Sequence, residues 1–152
     1  MAFKIQSAAF EEGKTIPSRH TCDGENLSPA LDWSGAPPLA KSYALICDDP
    51  DAPGGVWTHW TVWDIPPGVK SLAEGYRPQG AVKTGTNDFG KTGYGGPCPP
   101  KGHGPHRYFF KIFAVDRETL GLRAGARRYE VDAALRAHTI GEAWCTGKYE
   151  RK

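Results

Sequence analysis

Gly93-Tyr-Gly-Gly-Pro-Cys-Pro-Pro-Lys-Gly-His-Gly-Pro-His-Arg-Tyr108 is the most unusual segment of the chain. Its prolines fix the backbone and remove amide donors, so a regular helix or strand is expected only from its last residues onward. Gly95 and Gly96 let backbone amides approach a ligand closely, and concave arrays of amides bind anions. The prolines stiffen the loop, which lowers the entropic cost of binding. The segment therefore predicts one rigid wall of a small pocket.

A strand is predicted directly after this loop, over Arg107–Val115, because this largely apolar segment is bounded by turn-forming residues. His106 and Tyr108 project from one face of that strand. Phe110 and Ile112 continue the same face into the core, and the other face carries Arg107, Phe109 and Phe113. His106 and Tyr108 are therefore predicted to face the pocket, whereas Arg107 is interpreted as a structural ion-pair partner.

A second Pro-rich stretch, Asp48-Asp-Pro-Asp-Ala-Pro53, follows the apolar segment Tyr43–Cys47. Each proline pushes the residue before it into extended geometry, so the acids stand on a stiff frame. Acids fixed in this way can orient a histidine, bind a cation or hold a turn. His59 lies ten residues after Asp49, and we expect the two Pro-rich stretches to meet in one pocket.

His59 begins the next predicted strand. Strict alternation places it on the same face as Thr61 and Trp63, opposite Trp60 and Val62. A lone histidine among tryptophans is more often structural than functional, but the nearby acidic loop favours a function. A carboxylate partner would raise the pKa of His59 and favour the imidazolium near neutral pH.

The chain holds 19 glycines and 13 prolines among 152 residues, which favours tight turns and short strands over long helices. Strands are predicted at Phe3–Ser7, Leu31–Trp33, Ser42–Cys47, His59–Ile65, Ala81–Thr84, Arg107–Val115 and Ala143–Lys148. One helix is predicted over Glu130–Thr139, with Gly141 as its stop. Residues 1–152 are therefore expected to form a single, mainly β domain, an antiparallel β-sandwich with Greek-key topology plus one or two short helices.

A formal net charge of +2 is too small to indicate nucleic acid or an anionic membrane as a partner. The N-terminal sequence Met1-Ala-Phe-Lys-Ile-Gln6 lacks the apolar core of a signal peptide. No apolar run approaches the roughly 18 residues of a transmembrane segment. A cytoplasmic location is therefore expected.

Four widely spaced cysteines, with no C-x-x-C pair, make a zinc site improbable; they are Cys22, Cys47, Cys98 and Cys145. Free thiols are expected in a reducing compartment, although a single bridge of the kind found in thermophiles stays open. Cys98, between prolines of the pocket loop, is interpreted as a small packing residue. Neither a metal nor a cofactor is predicted.

Both Pro-rich stretches resemble the phosphatidylethanolamine-binding proteins, also called Raf kinase inhibitor-like proteins. The resemblance rests on Asp49-Pro-Asp-Ala-Pro53, on His59, and on Gly96-Pro-Cys-Pro-Pro-Lys-Gly102 followed by His106-Arg-Tyr108. It is supported by two flanking motifs, Asp23-Gly-x-Asn-x-Ser-Pro-x-Leu-x-Trp33 and Gly147-x-Tyr-x-Arg151. These motifs span nearly the whole chain in the expected order. The Gly-Pro-Cys-Pro-Pro form looks most like the bacterial and archaeal branch.

This resemblance implies a β-sandwich with a surface pocket for phosphate-like groups and, in this branch, a homodimer. Carried over position by position, the ligand-binding residues are Asp49, His59, Gly96, Pro100, His106 and Tyr108. Asp51 and Pro53 match the loop that shapes the pocket, and Gly95 and Cys98 are assigned the same role in the second loop. Gly54-Gly55 replaces the longer polar stretch of animal members, so phospholipid binding and kinase inhibition are not predicted here.

The predicted function is binding of a small phosphorylated or carboxylate ligand by a ligand-binding or regulatory module, with no catalytic residue assigned. Asp49 would accept a hydrogen bond from His59 or His106 and keep one imidazole protonated. Three alternatives stay open. They are acid–base hydrolysis of a phosphoester, a metal site of Asp49, Asp51, His59 and His106, and recognition of a protein partner.

Overall fold

The computed structural model describes residues 2–152, so Met1 of the predicted N-terminal segment lies outside the described residues. Residues 2–152 contain eight strands, one α-helix and one 3-10 turn. They are β1 (Lys4–Gln6), the 3-10 turn (Ser18–His20), β2 (Leu31–Ser34), β3 (Ser42–Asp49), β4 (Trp57–Ile65), β5 (Ser71–Leu72), β6 (Lys83–Thr84), β7 (His106–Val115), α1 (Arg128–His138) and β8 (Thr139–Tyr149). Within these residues no helix is long and apolar enough to cross a membrane.

Two antiparallel sheets form the body of the protein. The larger has the order β6-β4-β3-β7-β8 and the smaller the order β1-β2-β5. All eight residues of β3, the central strand, are buried, because the large sheet is covered by the small sheet on one face and by α1 on the other. The mainly β, antiparallel fold is therefore confirmed, whereas the Greek-key connectivity stays a prediction.

Alternate residues of β3 enter two different cores. Tyr43, Leu45 and Cys47 pack into the core between the two sheets, and Ala44 and Ile46 pack into the core beneath α1. Burying each large apolar side chain stabilises the fold by about 1.5–3 kcal/mol. The alternation of side chains along β3 therefore separates the two layers that hold the strand in place.

The end of α1 differs from the prediction. The helix ends at His138 and β8 begins at Thr139, so Gly141 is not a helix stop but a strand residue paired with Ala114. A Cβ atom at Gly141 would lie 2.9 Å from Cγ of Pro37. The glycine is therefore explained by close packing against a neighbouring loop, which the sequence pattern does not reveal.

β8 is an edge strand, and only part of its outer edge is covered. Thr146 and Lys148 exchange backbone hydrogen bonds with residues 13–16. By the alternation of an antiparallel strand, Glu142 and Trp144 also direct their amides outward, and within residues 2–152 these amides have no backbone partner on that side. Trp144 is 56% exposed. This end of β8 therefore presents an open, partly apolar edge.

Candidate functional site

A pocket of about 230 Å³ opens where the ends of β3, β4 and β7 meet the loop of residues 95–105. The residues that line it come from both Pro-rich stretches, from the start of β4 and from the loop that holds Phe89. They are Asp49, Ala52, Pro53, Trp57, His59, Phe89, Cys98, Pro99, Pro100, His106 and Tyr108. The structure thus brings the two stretches together, and within residues 2–152 no lysine or arginine lines the pocket.

Asp49 and His106 form a buried pair on the pocket floor. Asp49 is the last residue of β3 and His106 the first of β7, and these strands are neighbours in the sheet. Asp49 Oδ2 lies 2.6 Å from His106 Nδ1, with side chains 4% and 2% exposed. The other carboxylate oxygen accepts the backbone N–H of Asp51 at 2.8 Å. Of the two histidines considered from the sequence, His106 is therefore the partner of Asp49.

His103 extends this pair and was missed from the sequence. Its Nδ1 lies 2.6 Å from Nε2 of His106, and its side chain is exposed. At that distance one nitrogen donates and the other accepts, so the two rings share one proton. Two flanking glycines with positive φ, Gly102 at 76° and Gly104 at 89°, turn the chain back on itself. The sequence Gly102-His-Gly-Pro-His106, which places two histidines three residues apart around a turn, was the signal that could have revealed this contact.

A β-bulge changes the orientation of His59. Cys47 pairs with Trp60 and Asp48 pairs with Thr58, so His59 is an extra residue in β4. Such a bulge breaks strict alternation. The His59 ring consequently lies beside Tyr108, with 5.2 Å between ring centroids, and Tyr108 belongs to the same core as Trp60. The prediction that His59 faces away from Trp60 was wrong for this reason.

His59 is held by the second loop and not by a carboxylate. Its Nδ1 donates to the backbone oxygen of Gly95 at 2.6 Å. Burial lowers the pKa of His59 and outweighs the opposing effects of the Gly95 hydrogen bond and of the nearby Asp49 charge. The expectation of a raised pKa was therefore wrong, and His59 is a neutral imidazole near neutral pH with Nε2 as its acceptor.

Gly95 and Gly96 use their amides within the protein. The Gly95 amide donates to the backbone oxygen of His59 at 2.9 Å, and the Gly96 amide donates to Asn26 Oδ1 at 2.9 Å. A Cβ atom at Gly96 would overlap with the backbone oxygen of His20. Gly96 does not line the pocket, so these glycines serve close loop packing, and the amide array predicted from them is absent from the described pocket.

Asp51 and Arg107 form an exposed ion pair at the edge of the site. The Arg107 side chain donates two hydrogen bonds to the carboxylate, at 2.9 and 2.8 Å, and the Arg107 backbone N–H adds a third at 2.9 Å. These hydrogen bonds lower the pKa of Asp51 to about 2. Asp51 does not line the pocket; it joins the acidic loop to β7 and so fixes the position of Asp49.

Tyr108 supplies an unpaired donor. Its side chain is completely buried, and among the described residues its hydroxyl has no hydrogen-bond partner. Burial, together with the negative charge of Asp49, raises the pKa of Tyr108, so the hydroxyl keeps its proton. A buried donor without a partner costs about 1–3 kcal/mol. Tyr108 lines the pocket, but its Oη is shielded from solvent, so a ligand reaches the hydroxyl only after a shift of the surrounding side chains.

Comparison with known proteins identifies the family of this chain. The family model described as phosphatidylethanolamine-binding protein matches residues 6–150. The chain belongs to the phosphatidylethanolamine-binding protein family.

Relatives from its bacterial and archaeal branch match nearly the whole chain. A UPF0098 protein from Methanothermobacter thermautotrophicus is 51% identical over 97% of this chain and 98% of its own length. One from Aquifex aeolicus is 47% identical over 97% of this chain and 88% of its own. The crystal structure of YbcL from Escherichia coli, described as a new member of the mammalian PEBP family, matches with a TM-score of 0.93 and 38% identity over 99% of both chains.

A disulfide ties this family member's pocket loop to the loop after the 3-10 turn. Cys22 is bonded to Cys98 with a Cα–Cα distance of 5.4 Å, so the expectation of free thiols was wrong for these two residues. Proximity explains the bond, since the fold closes a sequence separation of 76 residues that spacing alone does not reveal. Cys47 and Cys145 are free and buried.

The side chains considered for a metal site do not converge. Asp51 is engaged by Arg107, and His59 Nδ1 is engaged by Gly95. Among residues 2–152, no three His, Cys, Asp or Glu side chains are grouped so that they could hold a metal ion. What the pocket offers is hydrogen bonding, through Asp49, His106 and Tyr108.

Proposed function

We propose that the pocket binds a compact oxyanion, a phosphate or carboxylate group that carries a small apolar substituent, and that this protein is a ligand-binding or regulatory module. The observation that carries the proposal is the buried Asp49–His106 pair, 2.6 Å apart. Asp49 fixes Nδ1 of His106 as a donor, so a second proton on the ring lies at Nε2. The imidazolium formed in this way, held by its carboxylate, supplies the cation that an oxyanion requires.

Two further groups define what the ligand must offer. Tyr108 has a proton to donate and no partner among the described residues, which suits an anionic oxygen. His59 keeps its Nε2 as an acceptor because its Nδ1 donates to Gly95. The best match is an oxyanion that also carries an O–H or N–H donor, such as a hydrogen phosphate ester or a zwitterionic head group.

Apolar side chains at the mouth of the pocket favour an apolar substituent on that ligand. Trp57 and Phe89 pack edge to face with ring centroids 5.6 Å apart, and Phe89 is 42% exposed. Pro53 and Pro100 line the same pocket. Bare inorganic phosphate would leave this apolar surface in water, whereas an attached apolar group of a few carbons would cover it.

No observation favours the hydrolase alternative over binding. Hydrolysis through a covalent intermediate needs a nucleophile beside a base. Cys98 is the cysteine that lines the pocket, but its sulfur is bonded to Cys22 and has no thiolate to offer in this state. The Asp49–His106 pair alone is consistent with either role, so the assignment as a binding module rests on the remaining pocket groups.

We also propose that two copies pair through the open edge of β8, in line with the homodimer expected from the family branch. The unpaired amides of Glu142 and Trp144 would be satisfied by antiparallel pairing of two β8 edges across a two-fold axis. Lys111, Glu142 and Trp144 line one groove on this face. Because the groove carries both a positive and a negative side chain, it is electrostatically complementary to the same groove on a second copy. We also propose that the protein is located in the cytoplasm.

Calorimetric titration with phenyl phosphate and with benzoate tests the ligand assignment. We expect His106→Gln to abolish measurable binding of both compounds. His138→Gln is the matched control, because His138 Nδ1 also pairs with an aspartate, Asp116, at 3.0 Å, but lies outside the pocket. Equal binding by the wild type and His106→Gln, with both proteins folded by circular dichroism, would contradict the proposal. A panel of phosphoesters without turnover would separate binding from hydrolysis.

A further inference from the structure

The Cys22–Cys98 disulfide joins an exposed residue to a pocket residue. Cys22 follows the 3-10 turn and is exposed, whereas Cys98 is partly buried and lines the pocket. One half of the disulfide therefore belongs to an exposed residue, while the other half belongs to the ligand site. Breaking this bond would therefore release a residue of the pocket wall from an exposed loop.

The disulfide is the nearest attachment for residues 99–104, the segment after Cys98 that is called the pocket rim below. On the N-terminal side of Cys98 the loop has other attachments, since the Cys22 amide donates to Pro97 O at 3.1 Å and Gly96 is bound to Asn26. On the C-terminal side come Pro99 and Pro100, which line the pocket and have no amide hydrogen to donate. The next amide bonded to another part of the chain is that of Gly102, to Arg151 O at 2.8 Å.

The guanidinium of Arg151 lies beside the sulfur of Cys98 and would stabilise its thiolate if the disulfide were cleaved. Its Nη1 lies 3.5 Å from Cys98 Sγ, and its Nε lies 3.2 Å from Asp23 Oδ1, which holds the side chain in place. A guanidinium beside a sulfur favours the thiolate over the thiol. A stabilised leaving thiolate accelerates thiol–disulfide exchange at the other sulfur.

We propose that the Cys22–Cys98 disulfide is a redox-sensitive tether that controls the pocket rim. The thiolate of a cellular dithiol attacks Cys22 Sγ, the Cys22–Cys98 bond breaks, and Cys98 leaves as a thiolate beside Arg151. The second thiol of the dithiol then attacks the mixed disulfide, so the dithiol is oxidised and the protein gains two electrons and, at Cys22, a proton. The consequence for ligand binding rests on the proposed function, but the opening of the rim does not.

Native-state alkylation with mass spectrometry tests the chemistry without any ligand. Folded protein is treated with dithiothreitol or a thioredoxin-type dithiol and then with iodoacetamide. We expect rapid labelling of Cys22 and Cys98, with Cys47 and Cys145 unlabelled because both are buried and burial raises the pKa of each thiol. Arg151→Gln should slow the reduction and Arg151→Lys should largely restore it. A disulfide that opens only when all four cysteines become reactive would overturn the proposal.

Hydrogen exchange of the same samples tests the mechanical consequence. We expect the amides of residues 101–104 to exchange about tenfold faster after reduction, while those of β3 and β7 stay unchanged. Cys22→Ser should reproduce the reduced state under oxidising conditions, and Cys145→Ser, which leaves the disulfide intact, should not. Unchanged exchange in reduced protein and in Cys22→Ser would overturn the tether.

Phenyl phosphate titration of oxidised and reduced protein then connects the tether to the pocket. A loosened rim must be ordered on binding, so we expect the affinity to fall about fivefold on reduction. If neither form binds, the proposed function has failed while the exchange result still decides the tether. If both forms bind equally, the control of the pocket by the disulfide is contradicted even where the disulfide is reducible.

Discussion

Asp49 Oδ2 and His106 Nδ1 lie 2.6 Å apart at the adjoining ends of two neighbouring central strands, and both side chains are almost fully buried. Their positions follow from strand pairing, because β3 ends at Asp49 and the antiparallel β7 begins at His106. Desolvating a lone carboxylate is costly, so the pair is stable only with its hydrogen bonds intact. The other ring nitrogen, Nε2 of His106, lies 2.6 Å from His103 Nδ1, so a ligand binds it only by displacing the His103 ring.

Asp49→Asn tests whether the carboxylate of this pair supports ligand binding. Asparagine keeps a hydrogen-bond acceptor for His106 Nδ1 but removes the negative charge from the hydrogen bond. We therefore expect the affinity for benzoate to fall about tenfold, measured by calorimetric titration. Equal affinity of the wild type and Asp49→Asn would contradict the role of the pair.

Tyr108→Phe should affect stability and binding in opposite directions. Removing a buried hydroxyl without a protein partner should leave the free energy of unfolding unchanged or raise it by about 1 kcal/mol. Ligand affinity should fall about tenfold, because a hydrogen bond to an anion is lost. Tyr94→Phe is the control, since its hydroxyl donates to His20 O at 2.7 Å. That variant should lose stability and keep its affinity; the reverse pattern refutes the assignment of Tyr108.

Gly96→Ala tests whether this glycine is needed for packing. The added Cβ would overlap with His20 O, so we expect a loss of about 1–3 kcal/mol in the free energy of unfolding, measured by urea denaturation. Gly68→Ala should change stability by less than about 0.5 kcal/mol, because nothing lies within 4 Å of its Cβ position. Equal stability of the two variants would show that the loops do not pack as described.

Asp51→Asn should show the acid dependence of the Arg107 ion pair. The folded-state pKa of Asp51 is lowered to about 2 by the Arg107 hydrogen bonds, so its stabilisation is present above pH 4 and disappears as the pH falls toward 2. The pair is partly exposed, with Asp51 at 30%, and screening limits its contribution to about 1 kcal/mol or less. Wild type and variant should therefore differ at pH 7 and converge near pH 2 in thermal unfolding. A constant difference excludes this pair as the cause.

Trp144→Glu should disrupt the proposed homodimer. A second negative charge beside Glu142 would repel the same patch of a second copy, while the side chain at this position is already 56% exposed, so folding should be unaffected. Light scattering after gel filtration should show dimers for the wild type and monomers for the variant. Leu39→Glu is the control, because Leu39 is 78% exposed in a different loop. A monomeric wild type would contradict the dimer outright.

Features set by local alternation could be predicted from the sequence. The faces of β7 are as predicted, with His106 and Tyr108 buried and Arg107 exposed, because side-chain direction in a regular strand depends only on position. His59 shows the limit of that rule. One extra residue in β4 reverses the face of every residue on its N-terminal side, and a bulge arises from pairing with β3, which a single strand's sequence does not specify.

Contacts between distant loops could not be predicted in the same way. The bond between Cys22 and Cys98 and the hydrogen bond from Gly96 to Asn26 both depend on two loops meeting across the fold. Asn26 adopts a left-handed conformation with φ of 60°, which its residue type permits but does not require. The family resemblance located the pocket, whereas only the coordinates distinguish Asp49's true partner from the histidine that binds Gly95.

A crystal structure of the protein soaked with phenyl phosphate most directly tests whether the Asp49–His106 pair holds an oxyanion. We expect phosphate oxygens within hydrogen-bond distance of Tyr108 Oη and of His106 Nε2, with the His103 ring displaced from its 2.6 Å contact and the phenyl group between Trp57 and Phe89. Phosphate density elsewhere on the surface, with His103 still bonded to His106 and Tyr108 Oη still unpaired, would contradict the proposed function.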